Sequence, residues 1–150
     1  MNPLAPFLDT FGFAMLDGGI STELELHGAN LDDPLWTSRV LLDAPDLIGE
    51  MHRAFLESGA DIIATTTYQA SMAGFERAGL DAETARSTMR EAVGMAVSER
   101  NAFWSIPANR SGRLRPLVAV SLGPYGASLH DGSEYHGDYA ADAVTVRTFH

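Results

Sequence analysis

Three short apolar runs punctuate the chain, Phe13–Leu16, Ile62–Ala64 and Leu117–Val120, and stretches with helical spacing lie between them. Runs this short, apolar without alternation, suit strands of a parallel sheet, because helices cover both faces of such a sheet. Parallel neighbours need a crossover of a dozen residues or more, and the intervening stretches supply it. The order strand, helix, strand, helix, strand therefore predicts an α/β fold. By pattern alone it fits either a small doubly wound sheet or part of an eightfold barrel.

The helices can be placed from their ends. Over Pro45–Ser58, Pro45 suits a first helical position, Asp46 suits the positive end and Gly59 supplies a stop. Leu47, Ile48, Met51 and Phe55 share one side, and His52 beside that stripe reads as a surface or boundary histidine. A short helical segment follows over Met72–Ala78. Asp81 starts the longest helix, with Ala85, Met89, Ala92, Val93, Ala96 and Val97 on one face, small enough to pack closely on a sheet. Thr22 is placed to cap a helical turn after the first run. Gly28–Trp36 reads as a loop, in which Trp36 either shelves a ligand or covers the core. Ser105–Arg115 reads as a solvated connector carrying Arg110, Arg113 and Arg115. A glycine-rich loop runs from Ser121 to Asp138, which can cap a last helix beginning near Tyr139 or Ala140 and still running at His150.

Charge and composition narrow the chemistry. A net charge of −10 would repel nucleic acid and anionic membrane surfaces. All ten basic residues are arginine, so this chain has no lysine for a Schiff base or a Walker-type phosphate loop. It has no cysteine either, which removes a thiol nucleophile, disulfides and thiolate metal sites. The start lacks a basic segment followed by a long apolar core, and no apolar run reaches the length of a membrane span, so the expected compartment is the cytoplasm.

The residues that carry chemistry sit where apolar runs end. Asp17-Gly18-Gly19 follows the first run: Asp17 can accept from a cation while backbone amides bared by the glycines donate to an anion, which together suits the two ends of an amino acid. Thr65 and Thr67 close the second run, with hydroxyls that either face a ligand or satisfy neighbouring backbone. His130, Asp131, Glu134, His136 and Asp138 crowd one loop with imidazole and oxygen ligands, but their spacing matches no compact metal motif and reads as a solvated loop.

Four stretches taken in order resemble the amino-terminal half of homocysteine S-methyltransferases: Asp17-Gly18-Gly19 with Ser21-Thr22-Glu23-Leu24, Gly59 through Ser71, Ser121-Leu122-Gly123-Pro124-Tyr125-Gly126-Ala127, and Gly132 through Tyr139. The resemblance implies a TIM-type (β/α)8 barrel. Such a barrel takes about 250 residues and eight strands, so the 150-residue chain reads as the first three βα units of one domain, cut within its last helix. It also implies transfer of a methyl group from a sulfonium donor, S-methylmethionine or S-adenosylmethionine, to L-homocysteine held as a zinc-bound thiolate, forming methionine. Carried over by position, Asp17, Gly18 and Gly19 would contact the amino-acid end of homocysteine, Thr65 and Thr67 would line the same pocket, and Glu134 with Tyr135 would approach from the third loop. The zinc-binding cysteines belong to the family's second half, so this chain alone is expected to lack the metal and the reaction. Two other readings stand beside this one: a non-catalytic amino-acid-binding or assembly half-barrel that self-associates or pairs with a partner, and a short hydrolase using the His130–Asp138 loop for metal.

Overall fold

The computed structural model describes residues 2–33, 37–129 and 131–149, so the readings placed on Trp36, His130 and His150 lie outside the described residues. In chain order the elements are α1 (Ala5–Phe11), α2 (Ile20–Leu26), α3 (Thr37–Asp43), α4 (Pro45–Glu57), β1 (Ile62–Ala64), α5 (Met72–Arg77), α6 (Ala82–Ser105), β2 (Leu117–Ala119), α7 (Ser133–His136) and α8 (Ala143–Phe149). Single 3-10 turns occupy Pro107–Arg110 and Tyr125–Leu129. The fold is α/β, with a parallel sheet as expected.

β1 and β2 pair in parallel, Ile62 opposite Leu117, Ile63 opposite Val118 and Ala64 opposite Ala119. The first apolar run does not form the buried strand expected of it. Its ladder is a single parallel bridge, Leu16 to Ile62, and Phe13, Met15 and Leu16 are all more than half exposed. The reason lies in two carboxylates. Met15 N donates to Asp61 Oδ2 at 2.9 Å and Ala64 N donates to Asp17 Oδ2 at 2.6 Å, so side chains take two of the amides at the ends of the pairing. Between them, Asp61 N and Ile62 N donate to Met15 O, and Asp17 N donates to Ile62 O.

α4 forms where its sequence punctuation placed it, ending before Gly59 at φ +109°, a conformation that favours glycine. α5 and α6 are capped by side chains: Ser71 accepts from Gly74 N at 3.0 Å and Asp81 from Thr84 N at 2.8 Å. The core lies between α4, α6 and the sheet. Leu24, Val40, Ile48, Met51 and Ala92 form one cluster, and Leu56, Ile63, Ala96 and Phe103 another. Ala85, Ala92 and Ala96 are buried on α6, and their short side chains allow the close approach that the spacing predicted.

Several expectations are corrected. α1 and α3 are helices the sequence pattern does not predict; α1 has proline in its first turn and stops at Gly12 with φ +80°, while α3 is held by burial of Thr37, Ser38, Val40 and Leu41. Thr22 lies inside α2, whose N-cap is Gly19 with no side-chain cap. The last helix begins at Ala143, later than expected, and Asp142 rather than Asp138 accepts from an amide of its first turn, Thr145 N at 2.7 Å. The glycine-rich loop contains α7 and the 125–129 turn.

His52 is fully buried, not a surface or boundary residue, and among the described residues neither ring nitrogen has a hydrogen-bond partner. Helical spacing gave its place beside the stripe but not how far neighbouring elements close over it. The arginine connector is largely exposed, as expected of a solvated stretch, but its arginines are engaged. Arg113 donates to Leu56 O at 2.7 Å and Ala60 O at 2.6 Å while its guanidinium lies 5.1 Å from the Phe103 ring centre, and Arg110 donates to Trp104 O and Ser105 O. These groups satisfy carbonyls at the ends of α4 and α6, which helix geometry leaves unpaired. Among the described residues no helix is long and apolar enough to cross a membrane.

Candidate active site

At the carboxyl ends of β1, β2 and the Met15–Asp17 segment, polar groups converge from four parts of the chain. Asp17 is half-buried there. Burial pushes its carboxyl above the usual aspartate value, and the hydrogen bonds from the Ala64 and Asp17 amides pull it back. One oxygen is committed to Ala64 N. Gly18 and Gly19 then turn the chain into α2: a Cβ at Gly18 would stand 3.1 Å from the Phe55 ring, and at Gly19 3.3 Å from the Thr22 hydroxyl. Both glycines are therefore places of close approach.

Thr65 and Thr67 are buried, and their hydroxyls form a directed chain. Ser121 N donates to Thr65 Oγ1 at 3.0 Å, and Thr67 Oγ1 donates to Ser121 O at 2.7 Å. The Thr67 proton is thus used, so the 2.7 Å contact between the two hydroxyls has Thr65 donating to Thr67. Together they clasp both backbone groups of Ser121, extending the β1–β2 pairing beyond the ladder, where Thr65 N also donates to Ala119 O.

The loop after β2 returns to the same place. A Cβ at Gly123 would lie 1.8 Å from Tyr68 O, and one at Gly126 2.8 Å from Glu134 N, so neither position has room for a side chain. This packing sets Glu134, on α7, near Tyr68. Burial, with the charges of Glu134 and Tyr135, pushes the Tyr68 hydroxyl above its usual value. Glu134 Oε2 is buried and has no hydrogen-bond partner among the described residues, whereas Tyr135 beside it is 88% exposed. A buried carboxylate oxygen without a partner is a costly arrangement, and a cationic ligand would relieve it.

Of the residues named from the sequence, Asp17, Gly18, Gly19, Thr65, Thr67 and Glu134 all fall at this end of the sheet. Sequence reading missed the roles of Ser121, Gly123 and Tyr68, although Ser121 and Gly123 lie in a stretch singled out for its glycine and proline. Their roles depend on an approach of backbone to backbone that no residue pattern encodes.

The donor set does not fit a thiolate-bound metal. The chain has no cysteine, and among the described residues no group of three or more histidines and carboxylates is placed to hold an ion. In the loop of the rival metal reading, Asp131 accepts from Ser133 N and Ser133 Oγ, and His136 Nδ1 from Asp138 N at 3.1 Å. Those groups bond to one another within the loop.

The sequence model of the homocysteine S-methyltransferase family matches residues 14–150. The chain belongs to the homocysteine S-methyltransferase family. It is 43% identical to homocysteine S-methyltransferase YbgG of Bacillus subtilis over 150 residues, all of this chain and 48% of that protein. It is 47% identical to homocysteine S-methyltransferase 1 of Arabidopsis thaliana over 143 residues, 93% of this chain and 44% of that one. The metallated form of the homocysteine methyltransferase MmuM from Escherichia coli superposes with a TM-score of 0.89 at 42% identity, covering 99% of this chain and 51% of MmuM. The chain thus spans about half the length of the curated relatives it matches.

Proposed function

We propose that this chain provides the substrate cradle of a homocysteine S-methyltransferase built on a (β/α)8 barrel, of which it forms the first three βα units. The observation that carries the reading is the buried, unpartnered Glu134 oxygen at the sheet end where the Asp17-Gly18-Gly19 turn also sits. A carboxylate so placed suits the ammonium of an amino acid, and Asp17 supplies a second negative group. Gly18 and Gly19 leave backbone amides open to the substrate carboxylate. Thr65 and Thr67 stand beside these groups with both hydroxyl protons committed to protein partners.

In the overall reaction the homocysteine sulfur attacks the methyl carbon of a sulfonium donor. A carbon–sulfur bond forms as another breaks, and the departing electron pair neutralises the donor sulfur. S-methylmethionine and S-adenosylmethionine both supply such a methyl, already activated by the positive sulfur. Zinc would hold the attacking thiolate in this family, but this chain offers no thiolate ligands for it, and no step through the metal is assigned to these residues. Their part is to bind and orient the amino-acid end, since alignment of reacting atoms is itself a large share of such a barrier.

Calorimetric titration with L-homocysteine, and with 4-mercaptobutyrate as the analogue lacking the ammonium, tests the reading. Homocysteine binds more tightly, and Asp17→Asn and Glu134→Gln each lower its affinity about tenfold or more, as loss of a charge-assisted hydrogen bond of ~1.5–3 kcal/mol requires. Because the Asp17 carboxyl is raised, binding weakens as pH falls through that raised value. Equal affinity for the two compounds, or none for either, overturns the reading.

A second reading rests on a different observation. Leu16, Val120 and Leu122 are exposed along a sheet that, among the described residues, has no further strand at either side. Unpaired strand edges and an uncovered apolar face favour association with another polypeptide, so a half-barrel assembly module is the alternative.

A further inference from the structure

The threonine pair is the part of this site that touches the most structure and has the least freedom to touch a ligand. The Thr67 proton goes to Ser121 O and the Thr65 proton to Thr67, while Thr65 Oγ1 also receives Ser121 N. Ser121 therefore has both backbone groups fixed by side chains of the neighbouring segment. Two residues on, Gly123 lies so close to Tyr68 O that a methyl group could not be inserted, and Gly126 packs against the backbone of Glu134 in the same way. Three successive anchors thus run along one loop, at Ser121, Gly123 and Gly126, and the last of them touches the residue whose carboxylate oxygen is buried without a partner.

We propose that Thr65 and Thr67 are positioning residues, which through Ser121 fix the loop that brings the Glu134 carboxylate to the ammonium of the substrate. The inference rests on the reading of Glu134 as the ammonium-binding group and assigns the threonines a different task from lining the pocket. Directionality gives the device its precision. A hydroxyl chain that starts at the Ser121 amide and ends at the Ser121 carbonyl closes on a single residue, so a slip of the loop by one position breaks both of its hydrogen bonds to the threonines at once. Sites held to within a fraction of an ångström need such support beneath the groups that meet the ligand.

The hydroxyl, rather than the bulk of the side chain, carries this role, so Thr67→Val and Thr65→Val remove it at nearly constant volume, while Thr67→Ser retains it and removes only a methyl group. Two measurements are made on the chain. In the first, amide exchange at Ser121 and Glu134 is followed by NMR without ligand. Thr67→Val accelerates both by about tenfold or more, as expected when a local closed state loses its fastening, and Thr67→Ser leaves them near wild type. In the second, the affinity ratio of L-homocysteine to 4-mercaptobutyrate is measured. Thr67→Val collapses the ratio toward one, whereas a variant that is only less stable lowers both affinities together.

Unchanged exchange in both valine variants overturns the proposal whatever the ligand does. So does a ratio that Thr67→Val leaves intact in a chain whose wild type discriminates. Failure of the wild type to prefer homocysteine overturns the functional reading instead, and the exchange at Ser121 and Glu134 still decides whether the threonines hold the loop.

Discussion

His52 shows how a single buried side chain sets a condition on the whole fold. With no exposure and, among the described residues, no partner for either nitrogen, its imidazole is held neutral, and burial lowers its pKa from 6.5 to about 4. The unfolded chain therefore binds the proton first, so stability falls as pH drops below 6.5, and the loss is complete below about 4. Each pKa unit is worth about 1.4 kcal/mol, which puts the full loss at about 3 kcal/mol. Denaturant unfolding between pH 7.5 and 4 will show this slope, and His52→Leu will remove the contribution of this residue; an identical slope in the two proteins would mean that other groups cause it. Asp17 works in the opposite sense. Its raised carboxyl means that ionisation above the unfolded value costs stability, so Asp17→Asn, which can still accept from Ala64 N, holds or raises the thermal midpoint while it weakens homocysteine.

At the scale of elements, the ends of helices carry more than their middles. α5 and α6 are started by Ser71 and Asp81, local caps that a sequence pattern displays openly. The far end of α4 is finished from a distance: Arg113 reaches across 57 positions to Leu56 O and 53 to Ala60 O, and covers Phe103 with its guanidinium. Two hydrogen bonds from a charged donor, each worth ~1.5–3 kcal/mol when fully sheltered, shrink at this partly exposed place. Arg113→Ala is expected to cost about 2 kcal/mol in urea unfolding, and Arg113→Lys to recover less than half, because an ammonium lacks the planar fork that serves two carbonyls. Full recovery by lysine would show that charge alone suffices.

The molecule as a whole is a sheet with uncovered ground beside it. Among the described residues β2 pairs only with β1 and the Met15–Asp17 segment joins through one bridge, so no further strand covers either side of the sheet. Leu122 is 79% exposed and Val120 and Leu16 are each more than half exposed. Surfaces of this kind drive association. Sedimentation velocity is expected to show concentration-dependent assembly in the micromolar range, reduced by Leu122→Asp and Val120→Asp; a monodisperse monomer at all concentrations would contradict this.

Much of this protein was legible in its residues because the signals are local. Apolar runs of strand length located β1 and β2, proline and glycine bounded α4, Asp81 announced α6, and four ordered motifs led to the family. Three things were not legible, and each depends on contacts between distant parts of the chain. Pairing of the first run is cut to one bridge by carboxylates from Asp17 and Asp61. Burial of His52 depends on which elements close over α4, and Arg113 finds its carbonyls only once the connector has reached the end of α4. The same division runs through the site. Asp17, Thr65 and Thr67 could be named from where they stand in the chain, because chemistry at strand ends follows from residue type, whereas Glu134 was named for the substrate only through the family resemblance. That the threonine hydroxyls are used up on Ser121, while a Glu134 oxygen stays buried and unpartnered, was decided only by the tertiary structure, since hydrogen bonding depends on distances that sequence spacing does not fix.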